Sequence, residues 1–201
     1  RYHGEDISYL GKVDVSMAQL PAEVRNKRAK ELEELEEFLN KNPRDYDSWI
    51  QVGVLKKFFN NYEGARDAWE YATLVDPKVS TAYFDLGGLY AAYLHDYEKA
   101  EENYRAAIKR DRLVAPHFYI ALADFYEHFY VAKRPQTEAI LLEGAEAMPF
   151  DTSIRVRLAS YYQDHGEKGK ALQYFKEAFA IDPRLEEVRK EIRFLESGTR
   201  R

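Results

Sequence analysis

Four copies of one residue pattern follow each other along the chain, spaced by 34 to 36 residues. The first copy, residues 49–77, reads WIQVGVLKKFFNNYEGARDAWEYATLVDP. The polar pair Asn60-Asn61 separates its two halves, and Pro77 closes the second half. Asparagine favours turns, and proline disfavours helical geometry in the residue before it. Each copy therefore predicts two helices joined by a short turn.

Small residues recur at fixed places in the copies. A glycine inside a helix costs about 1 kcal/mol relative to alanine, so Gly53 and Gly87 need a packing reason. We expect the small residues to let two helix axes approach closely, and each hairpin to need a stacked neighbour that covers its apolar face. The small positions are Gly53, Gly87, Ala123 and Ala159 in the first helices and Ala72, Ala107, Ala145 and Ala178 in the second helices, where Trp69, Tyr104, Leu142 and Phe175 are the large neighbours.

This arrangement of large and small residues resembles the tetratricopeptide repeat family. The resemblance covers about residues 46–185, and one departure is Lys56, which stands where the family usually has tyrosine. It implies an all-α chain: an α-solenoid of four helix-turn-helix repeats in a right-handed superhelix. The four repeats are placed at about 44–77, 79–111, 114–149 and 152–183. Copy two has one extra residue in its turn region, and copy three has about three more.

The segments that flank the repeats have patterns of their own. Residues 21–41 and 184–196 have apolar residues near helical spacing and are predicted to be the N-terminal and C-terminal capping helices of one domain, residues 21–196. Residues 1–20 alternate apolar and polar side chains, which is typical of an extended segment. We expect this arm to lie against apolar surface and residues 197–201 to be a tail.

Composition narrows the classes of function. The formal net charge is −5, which argues against nucleic acid as a partner because phosphate contacts need basic groups. The chain contains no cysteine, which excludes disulfides and thiolate metal sites. No apolar run approaches the ~20 residues of a membrane-spanning helix, so no membrane insertion is expected within this segment. The chain begins at Arg1 rather than Met, so we expect a soluble domain excised from a longer protein, and its localisation stays open.

Sequence motifs of catalysis are missing. The chain has no phosphate-binding glycine loop, no nucleophile elbow and no HExxH motif. Asp124 and His128 are four residues apart and could supply half a metal site, but a pair of surface residues on a helix is the simpler interpretation. We therefore predict no enzymatic activity, no cofactor and no metal.

The resemblance also implies where a partner binds. In the family, the first helices of successive repeats line a concave groove that takes a peptide or a partner helix. Some members grip an acidic peptide with a lysine and an asparagine, and this chain has Ile50 and Val54 at those places, so that clamp is not expected. We predict a non-enzymatic protein–protein interaction scaffold with an apolar strip of Ile50, Val54, Phe84 and Ile120. The groove positions carried over are Asp47, Ile50, Val54, Thr81, Phe84, Gly88, His117, Ile120, Asp124, Ser153, Val156 and Ser160.

Two alternatives stay open. One is self-assembly through the N-terminal arm or the solenoid ends, which would make the chain a homo-oligomer. The other is an RNA-processing scaffold of the related half-repeat type, which the acidity and the lack of a Lys/Arg stripe disfavour.

Overall fold

The computed structural model describes residues 21–113 and 115–197, and every regular element in these two stretches is helical. The arm at residues 1–20 and the end of the tail, residues 198–201, lie outside the described residues. The ten α-helices are α1 (Ala22–Lys41), α2 (Tyr46–Phe58), α3 (Tyr62–Val75), α4 (Thr81–Leu89), α5 (Tyr97–Arg110), α6 (Pro116–His128), α7 (Thr137–Ala147), α8 (Thr152–Asp164), α9 (Lys168–Ile181) and α10 (Glu186–Ser197). The prediction of an all-α chain of helical hairpins is confirmed, whereas the superhelix stays a prediction.

The described residues fall into two compact units, which are divided between Arg110 and Asp111. The first unit holds α1 to α5, and the second holds α6 to α10. Each unit is described by itself below. That residues 21–196 form one continuous domain stays a prediction.

Side chains cap several helices and shape the turns between them. The Asp45 carboxylate accepts a hydrogen bond from the Ser48 backbone N–H at 2.9 Å, and Asn61 accepts one from Gly64 at 2.8 Å. Such caps satisfy amide groups that have no partner within the helix. Asn60 (φ 58°) and Gly166 (φ 76°) adopt the left-handed conformation, which asparagine and glycine tolerate best. The turn residues of the sequence therefore make the turns between α2 and α3 and between α8 and α9.

The core of the first unit explains its first helical glycine. Gly53 lies against the indole of Trp69, where an added Cβ would come within 2.1 Å of the ring nitrogen. That nitrogen donates a hydrogen bond to the Ile50 carbonyl oxygen at 3.1 Å, so the ring is held in place. Leu32 and Leu39 of α1 are fully buried in a cluster with Trp49 and Val52 of α2. The small residue thus lets α2 and α3 meet, and α1 covers the end of the unit.

The extra residue of copy two is absorbed by a π-helical turn, Tyr90–Leu94, which continues α4. The Asp96 N–H donates to the Tyr90 carbonyl at 3.2 Å, and His95 follows the turn with φ 54°. Insertion of one residue into an α-helix commonly produces such a turn. The extra residues of copy three form a 3₁₀ helix, Val131–Gln136, before α7.

The second unit corrects the expected register of α7. Leu142, aligned above with Trp69, is 37 % exposed, whereas Leu141 is fully buried. Gly144 is the residue in close contact with Tyr119, because a Cβ there would meet the Tyr119 ring at 2.9 Å. The buried face of α7 is thus shifted by one residue, since the 3₁₀ insertion offers no repeat pattern by which its length can be counted.

The last helix closes the second unit. Val188 of α10 is buried against Ala159 and Phe175, and Leu185, Ile192 and Leu195 pack around this cluster. The helix thus covers apolar surface of the last repeat, as a capping helix does.

Candidate partner-binding surfaces

In the first unit, the predicted groove residues lie on α2 and α4 and differ in exposure. Val54 is 47 % exposed, whereas Ile50 is half-buried and packs against the core. Phe84 is half-buried and meets the Tyr104 ring edge-on, with centroids 5.9 Å apart. Asp47 and Thr81 are exposed. This set of side chains offers accessible apolar surface with a polar margin.

Val54 also lines a cleft between α1 and α2. The cleft has a volume of about 330 Å³, and its apolar lining is Leu35, Val54 and Leu55. Its charged lining includes Arg28 and Glu31, whose side chains form an ion pair at 2.7 Å. This volume is at the lower end of the range of small-ligand pockets. We call it the α1–α2 cleft.

A half-buried carboxylate lies beside Phe84 in the chain. Burial raises the pKa of the Asp85 carboxyl to about 6, and the Lys57 ammonium opposes this increase. No hydrogen bond to this carboxylate comes from the described part of the chain. A buried polar group of this kind is stabilised when a partner supplies a hydrogen-bond donor or a cation.

In the second unit, the predicted groove residues lie on α6 and α8. His117 is exposed, and its ring meets the Phe118 ring at 4.3 Å. Ile120 and Val156 are half-buried, and Val156 packs against the core under α10. Asp124 is half-buried and bonded to Arg157.

Asp124, Glu127 and His128 place their potential ligand atoms within 4.8 Å of one another. The arrangement extends the half-site suggested by the sequence. However, the Arg157 guanidinium donates to Asp124 at 2.7 Å and also bonds Glu127. Both carboxylates therefore already share one cation, the Arg157 guanidinium, which is the alternative to a bound metal for paired acidic groups.

A second cleft lies between α8 and α10 and has a volume of about 300 Å³. We call it the α8–α10 cleft. Its apolar lining is Val156, Phe175 and Val188, and its polar and acidic lining is Ser160, Gln163, Asp164, Glu187 and Glu191.

The sequence missed several residues of these surfaces. Leu35 and Glu191 belong to the capping helices, which have no repeat position from which a groove role could be carried over. Asp85 and Arg157 each follow a predicted groove residue by one position. Only the fold shows that their half-buried side chains stay partly accessible there. The signal that could have found them is the charge at these places: Asp85 stands among apolar residues, in TAYFDLGGLY.

The described helices include none that is long and apolar enough to cross a membrane.

These hairpins, with small residues at the helix crossings and side chains of first helices at the surface, define a helical-repeat protein. Residues 80–112 and 152–185 match the tetratricopeptide repeat family. The match confirms the predicted repeats at these two places, which together make up about a third of the chain. The sequence has no match among curated proteins.

Solved tetratricopeptide repeat structures share this fold at low sequence identity. A thermophilic repeat protein of Thermus thermophilus is 21 % identical with a TM-score of 0.57, and the match covers 88 % of this chain and 93 % of that protein. The C-terminal part of a repeat protein from Cytophaga hutchinsonii is 15 % identical with a TM-score of 0.66, over 85 % of this chain and 66 % of that one. YrrB, described as a protein with an unusual peptide-binding site, is 18 % identical with a TM-score of 0.55, over 81 % and 82 %.

Proposed function

We propose that this protein is a non-enzymatic scaffold that binds a peptide or a partner helix along the first helices of its repeats. The observation that carries the proposal is Val54, a predicted groove residue that is 47 % exposed and lines the α1–α2 cleft. Leu35 and Leu55 continue the apolar lining beside Val54, and contiguous apolar surface that stays accessible in a folded chain often marks an interaction site. Peptide binding by the similar protein YrrB is consistent with this use of the fold.

In the first unit, Ile50, Val54 and Phe84 supply the apolar contacts. Phe84 is the central anchor, because a half-buried aromatic residue offers a large contact area at a small cost in side-chain entropy. Ile120 and Val156 supply the corresponding side chains of the second unit. A partner of matching chemistry is the apolar face of an amphipathic helix or an extended apolar peptide.

Asp85 gives this surface a preferred orientation for its partner. A hydrogen-bond donor on the partner, placed beside the residue that contacts Phe84, would satisfy the carboxylate. The apolar contacts should still dominate the affinity, which should therefore depend weakly on salt.

The test begins with random peptides displayed on phage and selected on the full 201-residue chain. Selected peptides are synthesised, and their affinities are measured by fluorescence anisotropy for the parent, for Phe84→Ala and for the control Leu74→Ala. Leu74 lies on α3, is 74 % exposed and is no part of the proposed surface. We expect Phe84→Ala to weaken binding at least about fivefold and Leu74→Ala to leave it unchanged.

Circular dichroism of Phe84→Ala is the folding control, because a weaker affinity can be assigned to the lost contact only if the variant remains helical. Equal affinity of a folded Phe84→Ala and the parent for every selected peptide would refute the proposed surface. Unfolding of the variant would show that Phe84 belongs to the core, and Val54→Ser would then carry the same comparison.

A further inference from the structure

We infer that the α8–α10 cleft binds a lysine or arginine side chain of the partner. This inference rests on the proposed function and names the chemistry of one part of the ligand. It is carried by the lining of the cleft, where an apolar floor is bordered by carboxylates.

The floor comes from Val156, Phe175 and Val188. Phe175 and Val188 are 2 % and 6 % exposed, so the little surface that they leave open is the bottom of the cleft. Val156 is half-buried and stands at a predicted groove position. The cleft is therefore reached from the same helix face on which the groove was placed.

The border comes from both helices. Asp164 ends α8, and Glu187 and Glu191 lie on α10, one turn apart. Gln163 donates a hydrogen bond to Glu191 at 3.2 Å, which ties α8 to α10 across the cleft. Lys190 pairs with Glu187 at 2.6 Å, but it is not part of the lining. Every residue that lines the cleft is apolar, neutral polar or acidic.

A long cationic side chain fits this lining. Lysine and arginine bury an aliphatic stem along apolar surface while the charged head stays among polar groups. Here the stem would lie on the floor and the head would meet Asp164 and Glu191. An acidic peptide would place like charges against the border, and a purely apolar one would gain nothing from its carboxylates. A cleft of about 300 Å³ has room for side chains rather than for a whole helix.

The experiment uses the selected peptides and pairs each peptide that contains lysine with a version carrying norleucine at that place. Norleucine keeps the stem and removes the ammonium group. Affinities are measured for the parent, for the double variant Asp164→Asn/Glu191→Gln and for the control Glu186→Gln, which removes one charge of α10 outside the cleft.

We expect norleucine to cost about fivefold in affinity for the parent and for the control. In the double variant the cost should fall below about twofold, because the two changes remove the same interaction. The difference between the lysine and norleucine peptides should also shrink as salt is raised.

Three outcomes would overturn the inference. Selected peptides without enriched cations would show that the cleft does not select charge. An equal cost of norleucine in the parent and the double variant would place the cation elsewhere. Dimerisation of the parent, seen by analytical ultracentrifugation and lost in the double variant, would make a second copy the occupant.

The proposed function fails differently. A peptide whose affinity falls with Phe84→Ala but not with the double variant would support the groove of the first unit and contradict the cleft. A library that yields no binder at all would contradict the groove and the cleft together.

Discussion

The two adjacent glycines of α4 should respond to alanine substitution with opposite signs. At Gly87 an added Cβ would lie 2.8 Å from Cδ1 and 2.9 Å from Cγ of Tyr104. These atoms belong to the root of a ring that is 7 % exposed, so the contact cannot be relieved by a flexible end. At Gly88 the nearest atom is the Tyr104 hydroxyl at 3.6 Å, which is ordinary contact.

The magnitudes follow from two effects. Alanine is favoured over glycine inside a helix by about 1 kcal/mol, and overpacking of a core costs about 1 to 3 kcal/mol. Gly88→Ala keeps only the first effect and should raise the free energy of unfolding by up to ~1 kcal/mol. At Gly87 the second effect should lie at its upper end, about 2 to 3 kcal/mol, because the base of the Tyr104 ring cannot move aside. Gly87→Ala should therefore lower the free energy of unfolding by about 1 to 2 kcal/mol, so the two variants differ by about 2 to 3 kcal/mol.

Urea unfolding followed by circular dichroism measures this difference, and each variant is the control for the other. Both variants replace a glycine of α4 by alanine beside Tyr104, and they differ in how close the added Cβ lies to that side chain. A shift of both midpoints in the same direction, or a Gly87→Ala variant as stable as the parent, would refute the packing of α4 on α5 described here.

Further predictions concern the core. Ala72→Trp and Ala107→Trp should each destabilise the chain by more than the ~1 to 3 kcal/mol of milder overpacking, because both alanines are fully buried; thermal melting at the parental temperature would show that the repeat register is wrong. Burial lowers the pKa of the fully buried Lys56 to about 8, against the opposing effect of Glu36. The folded state therefore binds fewer protons than the unfolded state between about pH 8 and the ordinary lysine pKa of 10.5, and stability should rise with pH through this window. The charged form costs on the order of 3 kcal/mol below this window, so Lys56→Met should raise stability at neutral pH and abolish the rise; an unchanged pH profile in Lys56→Met would contradict this.

The repeat pattern predicted the hairpins because the same contact recurs in copies one, two and four. A small residue under a large ring, as at Gly53 and Trp69, leaves a mark in the sequence that is visible in each of these copies. The turns were visible for a similar reason, since Asn60 and Gly166 supply left-handed conformations that few other residues adopt readily.

Insertions and end pieces could not be predicted in the same way. One extra residue does not reveal whether it lengthens a turn or forms the π-helical turn Tyr90–Leu94. The shift of α7 by one residue depends on how the 3₁₀ helix packs. Leu35 of α1 and Glu191 of α10 line the two clefts. Both helices lie outside the repeats, so no repeat position indicated these roles.

The most direct test of the central claim is to map where a selected peptide binds. Nuclear magnetic resonance of the labelled protein, titrated with the tightest peptide that requires Phe84, reports each backbone amide separately. The proposed groove predicts the largest shift changes on the first helices α2 and α4, around Val54 and Phe84, with small changes on α3 and α5. Changes concentrated on α3 and α5, or on the 3₁₀ helix at Arg134 and Pro135, would contradict it.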